Sequence, residues 1–105
     1  RVGGHSASLF PDAFPDTSIS DWLYPDEKTR GRRDPIHLAE SCDLTGLLVY
    51  LDTGATDVNL EGNALLAQIL QEKGISCENH VFPGSHSRFY CAAMMSEYLE
   101  FYGAP

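Results

Sequence analysis

The chain has 105 residues, a formal charge of −8 from 7 basic and 15 acidic side chains, and 43% hydrophobic residues, which is typical of one globular domain or less. Such an acidic chain repels a phosphate backbone, and its one basic cluster, Arg30, Arg32 and Arg33, is too short to form a binding stripe. The longest apolar stretch, residues 47–51, is far below the roughly 18 residues that cross a bilayer. The sequence therefore predicts neither a nucleic-acid partner nor a membrane span.

Three cysteines, Cys42, Cys77 and Cys91, are too few for a disulfide framework, and their spacing matches no zinc-ligand pattern. We expect small, mostly buried thiols, with a bridge between Cys42 and Cys77 as the alternative, because both precede neighbouring predicted strands. The chain starts at Arg1 without the charged-then-apolar layout of a signal peptide. This favours a start inside a longer polypeptide.

Residues 1–8 are expected to form the end of a strand, at Val2 to His5, and a turn. The following segment contains four of the six prolines and several aspartates: Pro11, Pro15, Pro25 and Pro35, with Asp12, Asp16, Asp21 and Asp26. Proline fixes φ and lacks an N–H donor, and aspartate favours turns. We therefore predict an irregular, variable loop over residues 9–33, without a long helix.

From Asp34 onward the pattern becomes regular. Asp34 is expected to cap a short helix over residues 36–41, with Pro35 in the first turn. The continuously apolar run 47–51, bounded by Gly46 and Gly54, indicates a strand that is buried on both faces. Such strands are typical of parallel sheets.

A helix, a strand and a second helix follow. Asn59 is expected to cap an amphipathic helix that Gly74 ends, and the alternation over residues 77–82 indicates a strand. Apolar residues spaced by three and four from Cys91 to Tyr102 predict a helix of about 15 residues. Residues 34–105 thus form a βαβα unit, and the predicted class is α/β with about three parallel strands and covering helices.

Two loops of this unit hold candidate catalytic residues, because ligands bind such sheets at the carboxyl ends of the strands. Asp57 follows the first strand and His86 the second. A carboxylate that accepts a hydrogen bond from histidine Nδ1 leaves Nε2 free to act as a general base toward a hydroxyl. Asp52 also ends the first strand and is a competitor for the role of the acid.

The chain resembles the C-terminal part of the esterase family that includes relatives of esterase D, enterochelin esterase and the mycolyltransferases. The resemblance rests on Asp34-Pro35-Ile36, Leu51-Asp52-Thr53-Gly54-x-x-Asp57, Val81-Phe82-Pro83-Gly84-Ser85-His86-Ser87 and Tyr98-Leu99-Glu100-Phe101-Tyr102. It spans essentially the whole chain and implies part of an α/β-hydrolase fold with a Ser, Asp or Glu, His triad in that order. It further implies that Asp57 is the triad acid and His86 the base, with a small-molecule ester as substrate and no cofactor.

The nucleophile is a separate question, because Gly4-His5-Ser6-Ala7-Ser8 matches G-x-S-x-G except at the last position. A nucleophile elbow joins a strand to a long helix, whereas Pro11 and Pro15 follow Ser6 closely. We therefore expect residues 2–6 to be the strand after the elbow helix, and the nucleophilic serine and oxyanion hole to lie upstream of this chain. Ser6 as the nucleophile is the alternative.

On this interpretation the chain alone is inactive and depends on its upstream half. A second hypothesis is a non-catalytic α/β-hydrolase-like fragment that acts by association, because the open edge of the strand at residues 2–5 would recruit a partner or a second copy. His5, His37 and His80 are expected to be structural or solvated, since no pair of them has a metal-ligand spacing. No metal site is expected.

Overall fold

The computed structural model describes residues 1–9 and 21–105 of the chain. Its strands and helices are β1 (Val2–His5), α1 (Glu27–Arg33), α2 (Pro35–Ser41), β2 (Leu48–Gly54), α3 (Leu60–Glu72), β3 (Ser76–Phe82), α4 (Arg88–Ala93) and α5 (Met95–Gly103). The turns predicted around Pro11 and Pro15 lie outside the described residues. In the part that the structure describes, no helix has the length and hydropathy to span a bilayer.

The three strands form one parallel sheet in the order β1-β2-β3. His5 lies opposite Asp52, and Asp52 lies opposite His80 in the next strand. The strand predicted from the apolar run 47–51 is the central strand β2, in which Leu48 is exposed and Val49 to Gly54 are buried. The predicted α/β class, with about three parallel strands and covering helices, is confirmed.

The two faces of β2 meet different helices, because successive side chains of a strand point to opposite sides. Val49 and Leu51 join the hydrophobic core with Leu66, Ala67 and Leu70 of α3 and with Leu9 and Ala39. Tyr50 and Asp52 face the other side, where Tyr90 of α4 and Tyr98 of α5 are buried. One face is therefore apolar, while the other carries a polar network.

Helix α1 differs from the irregular loop predicted over residues 9–33, and residues 21–23 are helical as well. The Asp26 side chain accepts a hydrogen bond from the Thr29 N–H and caps α1. Arg30, Arg32 and Arg33 lie in the last turn, where positive charge complements the helix dipole. Pro25 precedes the cap and so does not interrupt the helix.

The C-terminal segment forms two helices instead of the single helix of about 15 residues that the spacing predicts. Helices α4 and α5 meet at Met94, although neither glycine nor proline occurs there. Within the predicted spacing from Cys91 to Tyr102, Tyr98 is buried, whereas Met95, Leu99 and Tyr102 are exposed. The buried residue of α4 is Tyr90, which lies outside that spacing. All three cysteines are free and half-buried, so the alternative bridge between Cys42 and Cys77 is not formed.

Gly54 ends β2 where the loop after β3 passes closest to it. A Cβ atom at this position would overlap the Gly84 carbonyl and lie 3.0 Å from the Ser85 nitrogen. We expect Gly54→Ala to lower the free energy of unfolding by about 1–3 kcal/mol, measured by urea denaturation, because backbone must move to admit the methyl group.

Gly31→Ala is the matched control for this substitution. Gly31 lies within α1 and its added Cβ would have no described atom within 4 Å. Its free energy of unfolding should exceed that of the wild type by up to about 1 kcal/mol, since alanine favours the helix. A Gly54→Ala protein as stable as the wild type would contradict the close approach of the two loops.

Candidate active site

The two residues that the sequence singles out as an acid–base pair lie side by side. His86 Nδ1 is 3.1 Å from Asp57 Oδ2, and the other carboxylate oxygen, Oδ1, accepts a hydrogen bond of 2.8 Å from the Asn59 N–H. The Asp57 side chain is 0% exposed, whereas that of His86 is 58% exposed. A buried carboxylate thus orients an imidazole whose far side is open to the solvent.

Backbone hydrogen bonds join the two loops that carry this pair. Thr56 donates to the Gly84 carbonyl through both its N–H (3.0 Å) and its hydroxyl (2.8 Å). Ala55 N–H donates to the Phe82 carbonyl at 2.8 Å, which continues the strand pairing into the loops. The position of His86 is therefore fixed by the loop after β2, the same loop that positions Asp57.

The pairing selects one tautomer of His86. An ionised carboxylate can only accept a hydrogen bond, so the Asp57–His86 bond requires the imidazole proton on Nδ1. Protonated Nδ1 cannot accept from the Asn59 amide nitrogen, which lies 3.3 Å away, and that amide also lies 3.3 Å from the Ser6 carbonyl, to which it can donate. Nε2 of His86 is then the unprotonated nitrogen and can accept a proton.

Ser6 adjoins the pair and has an unusual backbone conformation. Its φ is 52°, in the left-handed region that few residues other than glycine adopt, and its N–H donates to the Asp52 carbonyl at 2.8 Å. The residue is 5% exposed, and its hydroxyl has no hydrogen-bond partner among the described residues. Ser6 and His86 border a cavity of about 290 Å³.

The three described residues that follow Ser6 do not begin the helix that a nucleophile elbow requires. Residues 7–9 are not helical, although an elbow places its serine directly between a strand and a helix. Ser6 thus combines a φ in the left-handed region and a nearby histidine with a following backbone that is not helical over residues 7–9.

A second carboxylate–histidine pair joins the ends of β1 and β2, and the sequence analysis missed it. Asp52 is fully buried; its Oδ1 is 2.7 Å from His5 Nδ1, while its Oδ2 accepts hydrogen bonds from the hydroxyls of Tyr90 (2.6 Å) and Tyr98 (2.9 Å). Asp52, the competitor for the acid role, therefore pairs with His5 and not with His86. Parallel pairing of the two strand ends, which aligns His5 with Asp52, is the signal that could have revealed this contact.

This network links both C-terminal helices to the central strand. Tyr90 belongs to α4 and Tyr98 to α5, and Tyr102 of α5 places its hydroxyl 3.1 Å from His5 Nε2. Burial raises the pKa of Tyr90 and Tyr98, and their hydrogen bonds to Asp52 raise it further. The two phenols are therefore held in the neutral, donating form, which anchors the helix that follows His86.

Other residues that the sequence analysis considered pair with groups other than Asp57 and His86. Arg30 pairs with the buried Asp34 at 3.2 Å, and His80 pairs with Glu78 at 3.1 Å. Asp34 also caps α2, as predicted, by accepting from the Ile36 N–H. Across residues 1–9 and 21–105, no three His, Cys, Asp or Glu side chains are grouped so as to hold a metal ion.

No protein-family model matches the chain, and no curated protein sequence matches it either.

The raised phenol pKa values predict a loss of stability in alkali. A phenol in the unfolded chain titrates near pH 10, so above that pH the unfolded state loses protons that folded Tyr90 and Tyr98 retain. We expect the free energy of unfolding to fall as the pH rises from about 10, with Tyr98→Phe reducing the slope by up to about 1.4 kcal/mol per pH unit. Urea denaturation between pH 9 and 11.5 measures both slopes, and identical slopes would contradict the network.

Proposed function

We propose that this chain is part of a serine carboxylic-ester hydrolase and that it supplies the acid and base of the catalytic triad to a serine upstream of Arg1. One observation carries the proposal: the buried Asp57 carboxylate holds the exposed His86 imidazole at 3.1 Å, at the carboxyl ends of neighbouring parallel strands. Ligand sites of α/β proteins lie at this end of the sheet. The resemblance to the esterase D and enterochelin esterase relatives gives the pair its roles.

In the proposed reaction His86 acts twice. Nε2 removes the proton of the serine hydroxyl as its oxygen attacks the ester carbonyl, and the imidazolium then gives that proton to the departing alcohol. Water resolves the acyl-enzyme by the same route, releasing the acid and restoring the serine. Asp57 stays ionised throughout, orienting the ring and stabilising the imidazolium. No step requires a cofactor.

Ser6 as the nucleophile is the alternative, and two observations favour it. Its φ of 52° and its unpartnered hydroxyl, at the same cavity as His86, are features that active-site serines share. Its burial and the non-helical residues 7–9 argue against this role. We therefore place the nucleophile upstream, so that the 105-residue chain alone is inactive.

The histidine is tested by His86→Ala in the enzyme that contains the upstream serine. Loss of the general base should lower kcat for an activated ester at least about a thousandfold. His37→Ala, on α2, is the matched control and should retain the wild-type rate, because His37 makes no hydrogen bond to Asp57 or His86. Near-normal turnover by His86→Ala would remove the basis of the proposal.

A fluorophosphonate probe, which labels activated serines, distinguishes the two nucleophiles. The chain alone should remain unlabelled, while the protein that includes the upstream serine should be labelled equally with and without Ser6→Ala. Peptide mapping of the label on Ser6 would transfer the nucleophile to this chain and contradict the upstream assignment.

The second candidate function is association, and the β1 edge favours it. Within the described residues β1 pairs with β2 alone, so its other edge lacks a strand partner. An apolar cavity of about 400 Å³, bordered by Val2 and Gly4 of β1 and by Leu38 and Leu66 of the helices, lies between the sheet and helices α2 and α3. Unpaired edges recruit further strands, so we propose that the isolated chain associates with a second copy along β1.

Sedimentation of the 105-residue chain tests this association. Wild type should show a mass that increases with concentration, whereas Val2→Lys, which places a charge on the edge, should remain monomeric. Val58→Lys, at an exposed position before α3, is the control and should associate like the wild type. A wild-type chain that is monomeric at all concentrations would contradict the candidate.

A further inference from the structure

Asn59 lies where α3 begins, and the sequence pattern predicts that its side chain caps this helix. The structure shows a different arrangement, because the Asn59 side chain makes no hydrogen bond to a backbone N–H in the described first turn of α3. Asparagine before a helix usually stabilises it through such a bond. The side-chain amide of Asn59 is therefore available for other contacts, and the proposed esterase mechanism gives it no role.

The amide nitrogen of Asn59 instead contacts the loops that follow the neighbouring strands. It lies 3.3 Å from the Ser6 carbonyl, after β1, and 3.3 Å from Nδ1 of His86, after β3. Asn59 itself belongs to the loop after β2, and its backbone N–H donates to the Asp57 carboxylate at 2.8 Å. One buried residue, 5% exposed, thus joins the loops after all three described strands.

A second buried asparagine, Asn63, holds Asn59 against the loop after β1. Its side-chain nitrogen donates to the carbonyls of Asn59 (2.9 Å) and Ala7 (2.8 Å). Asn63 is 0% exposed, and hydrogen bonds are stronger in such a buried environment than in water. The Asn59 amide therefore has a fixed position beside the His86 imidazole.

The Asn59 amide lies next to the ring nitrogen that keeps its proton in the proposed reaction. An amide NH2 group has two donors and no acceptor, so it cannot take the Nδ1 proton of His86 from Asp57. A water molecule in the same position could accept that proton. Because the buried amide fills this position, the Nδ1 proton is left to the Asp57 carboxylate.

We propose that Asn59 is a positioning residue of the acid–base pair: its amide, anchored on the Ser6 carbonyl, excludes water from the hydrogen bond between Asp57 and His86. The catalytic consequence rests on the proposed esterase function, whereas the exclusion of water does not. With Nδ1 protonated and held by Asp57, Nε2 stays free to accept the proton of the serine hydroxyl. Asn59 therefore acts through His86 and not on the reacting atoms.

Exchange of the His86 Nδ1–H with solvent, measured by proton NMR of the 105-residue chain, tests the proposal. Asn59→Ala should speed this exchange about threefold to tenfold, the value of one hydrogen bond, because water can then reach Nδ1. The Nδ1–H of His5, which pairs with Asp52, should exchange at the wild-type rate and shows that the variant is folded. Asn79→Ala, at an exposed position of β3, is the matched control and should leave both rates unchanged.

The catalytic consequence is tested in the enzyme that contains the upstream serine. There Asn59→Ala should lower kcat for an activated ester by a similar factor and leave KM near its wild-type value, because the amide acts on the base. Unchanged exchange of the His86 Nδ1–H in Asn59→Ala would overturn the proposal. Loss of turnover by His86→Ala but not by Asn59→Ala would overturn it as well, while the proposed esterase function would stand.

Discussion

The parallel pairing of β2 with β3 is the constraint on which the candidate site depends. It brings the loops after both strands to one edge of the sheet, where Thr56 bonds to the Gly84 carbonyl and a side chain at Gly54 would have no room. Asp57 and His86 are 29 residues apart in sequence, yet this pairing leaves them 3.1 Å apart. The contact between Asp57 and His86 thus results from the register of two strands and from the two short loops that follow them.

The buried Asp52 also stabilises this edge of the sheet, through hydrogen bonds to β1, α4 and α5. A carboxylate that is fully removed from water is stable only when its oxygens are hydrogen-bonded, and His5, Tyr90 and Tyr98 together provide those bonds. The same bonds attach α4 and α5 to β2. Because α4 begins directly after the His86 loop, the hydrogen bond of Tyr90 to Asp52 also limits how far that loop can move.

Sequence patterns were sufficient for the parts of the fold that depend on local chemistry. The apolar run of β2, the cap at Asp34 and the order β2, α3, β3 all follow from burial, capping and periodicity. The pairing of Asp52 with His5 did not, because it depends on the register between distant strands. The break between α4 and α5 at Met94 has no sequence signal. Helix α1 was not predicted, because the nearby Pro25 and Asp26 indicated a loop.

The protonation state of His86 tests the central claim most directly. Long-range proton–nitrogen correlation spectra of the neutral imidazole distinguish its two tautomers. Pairing with Asp57 predicts a proton on Nδ1 and a bare Nε2 that can accept the proton of a hydroxyl. A neutral His86 with its proton on Nε2 would mean that Asp57 does not orient the ring, and the acid–base pair would not exist in solution.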